Sequence, residues 1–83
     1  MGKRIIISTR CDDEGDGNRE VIELLKPLTM DSDPFVRGGA ALGIGFAYER
    51  LESKKAVEII KPLVNDEEWP TRLGAMIGIA LTY

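Results

Sequence analysis

Arg19–Tyr48 reads REVIELLKPLTMDSDPFVRGGAALGIGFAY, and Lys54–Tyr83 reads KKAVEIIKPLVNDEEWPTRLGAMIGIALTY. The second stretch is the first displaced by 35 residues, without a gap. Eleven of the thirty aligned pairs are identical: Glu23/Glu58, Lys26/Lys61, Pro27/Pro62, Leu28/Leu63, Asp31/Asp66, Arg37/Arg72, Gly39/Gly74, Ala40/Ala75, Gly43/Gly78, Ile44/Ile79 and Tyr48/Tyr83. A fixed period of about 20–50 residues marks a repeat array, in which each unit buries its apolar face against its neighbours.

Each unit reads as a pair of helices. Asn18 and Ser53 stand where a first helix needs a cap. Val21, Leu24, Leu25 and Leu28 then recur at i, i+3, i+4 and i+7, as do Ala56, Ile59, Ile60 and Leu63. Arg19, Glu20, Glu23 and Lys26 cover the opposite face. Pro27 and Pro62 should kink or end these helices. Met30–Asp33 and Asn65–Glu68 are the turns. The second helix of the first unit opens on Asp33-Pro34, a cap followed by proline at the first helical position. From Gly38 to Tyr48 no charge appears, which predicts burial nearly all round. The expected helices are 19–29, 34–50, 54–64 and 70–82, in an all-α fold.

Glycine inside a helix costs roughly 0.5–1 kcal/mol relative to alanine. The small residues therefore imply close helix-to-helix approach, and the glycines shared by both units, Gly39, Gly43, Gly74 and Gly78, are the candidates for it.

The 83 residues suffice for one small domain with a thin core. A net charge of -3 gives no basic surplus for nucleic acid or anionic membrane. The uncharged runs Gly38–Tyr48 and Leu73–Tyr83 are too short to span a bilayer. The sequence has no histidine and one cysteine, Cys11. It therefore lacks the commonest general base, a Cys/His nucleophile and a Cys/His zinc site. A lone thiol suits a reducing compartment. No cofactor motif is present, and the reading is non-enzymatic.

One stretch competes with the repeat. Cys11–Glu23, CDDEGDGNREVIE, places Asp12, Glu14 and Asp16 at positions 1, 3 and 5 of an EF-hand-like loop, Gly17 at 6 and Glu23 at 12. Against calcium, Arg19 stands at position 8, where an apolar residue is wanted. ISTRC lacks the spacing of an entering helix, and no second loop exists. The repeat frame makes Gly15–Asn18 an inter-repeat loop and Arg19–Glu23 the start of a helix. Calcium binding through residues 12–23 remains the alternative.

The pairs Asp31…Arg37 and Asp66…Arg72 put an aspartate in the turn and an arginine early in the second helix. This resembles HEAT repeats, in which such residues form a ladder between successive units. DPFVRGGAALGIGFAY and EWPTRLGAMIGIALTY are similar to the proteasome/cyclosome repeat, a HEAT-like variant with small residues through its second helix. EGDGNREVIELLKPL resembles the linker and first helix of that repeat. The resemblance implies an α-α superhelix of two hairpin repeats, about 15–50 and 51–83, with residues 1–14 a tail outside them. It implies a structural ladder of Asp31, Arg37, Asp66 and Arg72. It also implies a non-catalytic scaffold in a proteasome regulatory-particle subunit, with protein partners among the subunits of that particle and a cytoplasmic and nuclear location. A stand-alone HEAT-like adaptor is the other reading within the class. Where the family has a Gly-Thr-Gly loop after the second helix, this chain has ERLESKKA, so that helix is expected to run on to about Glu52. Two units leave apolar end faces uncovered, and self-association through them is expected.

Overall fold

The computed structural model describes residues 16–83, and all regular structure among them is helical. The helices are α1 (Asp16–Leu25), α2 (Pro34–Ala47), α3 (Lys54–Ile60) and α4 (Trp69–Thr82). The first helix of each pair passes into a 3₁₀ turn, Pro27–Met30 after α1 and Lys61–Asn65 after α3. Proline has no N–H to continue the i→i−4 ladder, so the chain tightens where Pro27 and Pro62 occur.

Caps set most of the boundaries. The Ser53 hydroxyl accepts from the Ala56 N–H at 3.2 Å. The Asp33 carboxylate accepts from the Phe35 N–H at 2.8 Å, with Pro34 in the first turn of α2. Asn18, expected as a cap, lies inside α1.

The expected extension of α2 to about Glu52 does not occur. The helix stops at Ala47, and the chain turns through Arg50 (φ 63°) and Glu52 (φ 51°), both in the left-handed region that favours glycine. The 35-residue shift places Gly15 and Gly17 at these two positions. Arg50 and Glu52 hold left-handed backbone where the aligned sequence has glycines, although Gly17 itself lies within α1. Two hydrogen bonds hold it: the Arg50 N–H donates to the Leu81 carbonyl at 2.8 Å, and the Glu52 N–H to the Thr82 carbonyl at 2.6 Å. The turn between the units therefore satisfies carbonyls at the end of α4, which would otherwise lack partners.

The core is one cluster of Ile22, Ala41, Ile44, Tyr48, Ala56, Ile60 and Ala75. Ile22 and Leu25 of α1 and Thr29 of the following 3₁₀ turn face inward, whereas Leu24 and Leu28, also expected on the apolar face, do not. Leu24 is 72% exposed and Leu28 40%, whereas their repeat partners Ile59 and Leu63 pack against the core. The difference is positional: α3 lies against the first unit, and nothing among the described residues covers the equivalent side of α1.

Candidate functional site

The joint between the two units is the most heavily built feature of the molecule, and small residues set its spacing. A Cβ added at Gly74 would fall 2.6 Å from the carbonyl carbon and 2.7 Å from the Cα of Gly38. One added at Gly45 would lie 2.5 Å from the Cα of Gly78, and one at Gly78 would lie 2.6 Å from the Ala41 oxygen. At Gly38 it would strike the carbonyl of Pro70. Carbon atoms pack best at about 3.5–4.0 Å, so none of these positions admits a side chain while the helices stay where they are. Gly38 meets Gly74 and Gly45 meets Gly78, so residue numbers rise together and α2 and α4 run parallel.

The contact corrects the expected stripe. Gly74 and Gly78 lie in it. Gly39 does not: a Cβ there would have nothing within 4 Å. Gly43 is approached only by the tip of Leu25, at 2.8 Å, from its own unit. Their places on α2 are taken by Gly38, Ala41 and Gly45. Thr71 was also missed. It is fully buried, and its hydroxyl donates to the Pro34 carbonyl across the joint at 2.9 Å.

Beside the glycines lies the Asp/Arg ladder. Arg37 donates through Nε to Asp66 Oδ2 at 3.1 Å and through Nη2 to Asp66 Oδ1 at 2.9 Å. Its Nη1 donates to the main-chain oxygens of Asp31 (2.9 Å) and Ser32 (3.2 Å). The arginine thus braces its own turn with one nitrogen and clasps the next unit with a two-pronged fork. Asp66 Oδ1 also accepts from the Glu68 N–H at 2.8 Å. The hydrogen bond from Arg37, then that from Glu68, holds the Asp66 carboxyl below its ordinary range, and the Asp66 hydrogen bond raises the Arg37 guanidinium.

The second unit repeats half of this. Arg72 Nη1 donates to the main-chain oxygens of Asp66 (2.9 Å) and Glu67 (3.0 Å). Its Nε and Nη2 make no hydrogen bond among the described residues. Asp31 Oδ1 accepts from the Asp33 N–H at 2.8 Å, as Asp66 does from Glu68, and its Oδ2 has no partner among the described residues. One rung is closed, and half a rung stands at each end.

Across the mouth of the joint, Phe35 and Trp69 meet edge to face, with centroids 5.8 Å apart and planes at 84°. Behind them is an open, mainly apolar groove of about 220 Å³, walled by Leu42, Leu73 and Ile77 over the glycine backbone. Phe35 and Trp69 are both more than half exposed.

The calcium stretch divides at the edge of the described residues. Asp12 and Glu14 lie outside them, as does Cys11. Asp16 and Glu23 both fall in α1, seven positions apart along the helix. At about 1.5 Å per residue their backbones are about 10 Å apart along its axis, which does not suit two ligands of one ion at about 2.3–2.6 Å. Among the described residues no group of three or more Asp, Glu, Cys or His side chains is arranged to hold a metal ion. No helix among them is long and apolar enough to cross a membrane.

Compared with family models, with curated proteins and with solved structures, the chain matches none.

Proposed function

We propose that this chain is a two-unit stretch of HEAT-like α-solenoid and serves as a non-catalytic scaffold for protein–protein contacts. The observation that carries the reading is the rung from Arg37 to Asp66, with its halves left open at Asp31 and Arg72. The same aspartate turn and the same arginine brace recur in both units, as equivalent positions of a stack should. The parallel run of α2 and α4 through glycine contacts supports the same reading. So does the 35-residue period, because equivalent elements of a stack lie side by side.

Within that reading, the small-residue second helices favour a scaffold of the proteasome regulatory-particle kind, partnered by other subunits of that particle. The test is affinity purification of the tagged chain with intact regulatory particles. Enrichment of non-ATPase subunits at fixed stoichiometry is the expected result, and recovery of the chain without them would count against this assignment. The turn at 50–52, which holds Arg50 and Glu52 rather than glycines in left-handed backbone, favours the second reading of a stand-alone HEAT-like adaptor. Under that reading the chain captures a different, single protein.

A further inference from the structure

The two ends of the stack are chemically unequal, and the joint inside the molecule shows what each can accept. Call the side of a unit that points toward higher residue numbers its leading face, and the other its trailing face. At the joint the leading face of the first unit offers Arg37, Gly38, Ala41 and Gly45. The trailing face of the second offers Asp66, Thr71, Gly74 and Gly78.

Displacement by 35 residues gives the outer faces. The outer trailing face carries Asp31, Val36, Gly39 and Gly43 in the places of Asp66, Thr71, Gly74 and Gly78. Among the described residues its carboxylate has an oxygen without a partner, nothing lies within 4 Å of a Cβ built at Gly39, and Leu24 is 72% exposed where Ile59 is covered. The outer leading face carries Arg72 but has Leu73, Met76 and Ala80 where the joint has Gly38, Ala41 and Gly45. At Gly38 and Gly45 even a Cβ would run into backbone of the facing helix, and Ala41 is fully buried, with its carbonyl oxygen 2.6 Å from a Cβ built at Gly78. Leu73, Met76 and Ala80 therefore bar the leading face from taking another trailing face in the same register.

Resting on the solenoid reading above, we propose that the trailing face, Leu24–Asp31–Gly39–Gly43, is a docking surface for a helical hairpin of a partner protein. That hairpin presents Arg-Gly-x-x-Ala-x-x-x-Gly, the pattern of Arg37, Gly38, Ala41 and Gly45. The arginine fork closes on Asp31 as Arg37 closes on Asp66. A second copy of this chain does not fill the surface, because its leading face is the blocked one. Nor does the preceding sequence supply it in register, because Lys3, Ile6 and Arg10 stand where Gly38, Ala41 and Gly45 would be needed. The interaction is polar in direction: the chain accepts a unit at one end and terminates a stack at the other.

The test gives the full chain a leading face of the required pattern. The variant Leu73→Gly/Met76→Ala/Ala80→Gly should form concentration-dependent oligomers in sedimentation velocity, while the natural chain does not. Adding Arg72→Ala to it should return it to the monomer, and adding natural chain should shorten its oligomers, since each natural chain docks by its trailing face and ends growth. A helical variant that stays monomeric overturns the proposal, as does head-to-tail oligomerisation of the natural chain.

Three substitutions in α4 could unfold it, so a second arm uses duplications. Repeating residues 16–50 ahead of Asp16 should raise the melting midpoint by several degrees, and repeating 49–83 after Tyr83 should not. Equal gains from both would overturn the polarity and leave the solenoid reading standing. No gain from either would remove the solenoid reading as well. A gain from the second alone would reverse the assignment of the faces.

Discussion

Gly39 and Gly74 occupy the same position in the repeat, yet replacing each with alanine should change stability in opposite directions. At Gly39 the new Cβ meets nothing within 4 Å, so only helix propensity acts. Removing a mid-helix glycine should stabilise by about 0.5–1 kcal/mol. At Gly74 the same propensity gain applies, but the Cβ lands 2.6–2.7 Å from two backbone carbons of Gly38 and cannot be relieved by turning a side chain. The helices must part by about 1 Å to restore ordinary contact. Overpacking of this kind costs about 1–3 kcal/mol, which leaves a net loss of up to about 2.5 kcal/mol after the propensity gain. The propensity gain is common to both variants, so the expected separation between them is the overpacking cost, about 1–3 kcal/mol. For a domain of this size each kcal/mol moves the melting midpoint by about 4–8 °C. Urea unfolding followed by circular dichroism, with Trp69 fluorescence as a second probe, measures both variants against the parent. If Gly74→Ala proves as stabilising as Gly39→Ala, the backbone-to-backbone contact is wrong.

Other outcomes follow from the turn, the rung and the hydroxyl across the joint. Arg50→Gly and Glu52→Gly should each stabilise by about 0.5–1 kcal/mol, because a left-handed backbone penalises any side chain and the repeat places glycine at both equivalents; thermal melts of the single and double variants check this. The Asp66 carboxyl is held below its ordinary range, so its contribution is fully present above the unfolded value near pH 3.9 and fades as pH falls through the lower folded value. Asp66→Asn should therefore lose stability at pH 7 and show a shallower decline in urea midpoint between pH 5 and pH 2 than the parent. Thr71→Val should cost about 1 kcal/mol, by loss of the hydrogen bond to Pro34; chemical denaturation of the variant against the parent checks this.

The repeat, the four helices and the prolines that end the first helix of each pair were legible in the sequence, because periodicity and backbone chemistry are local. The sense of the joint was not. Identity between units singled out Gly39/Gly74 and Gly43/Gly78, but the two sides of the joint are different faces of the repeat. The residues that meet are therefore non-equivalent positions, Gly38 and Gly45 on one side and Gly74 and Gly78 on the other. Comparing a unit with its copy finds one of these faces and misses its complement. The same cause misdirected Leu24 and Leu28, whose exposure depends on which neighbour is present rather than on their spacing in α1. The 50–52 turn was hidden for another reason: hydrogen bonds to Leu81 and Thr82, about 30 positions away, hold Arg50 and Glu52 in a conformation that their own propensities disfavour. The resemblance to HEAT repeats pointed to Asp31, Arg37, Asp66 and Arg72 together, whereas the rung among the described residues joins Arg37 to Asp66 of the next unit, a pairing that depends on which faces meet.

α2 and α4 meet in parallel, glycine backbone to glycine backbone, between the two units. Nuclear Overhauser contacts among the glycine α-protons of the uniformly labelled chain test this contact most directly. Strong contacts from Gly38 to Gly74 and from Gly45 to Gly78, with none from Gly39 to Gly74, are predicted. A Gly39–Gly74 contact in place of Gly38–Gly74, or a pattern pairing Gly38 with Gly78 and Gly45 with Gly74, would contradict it.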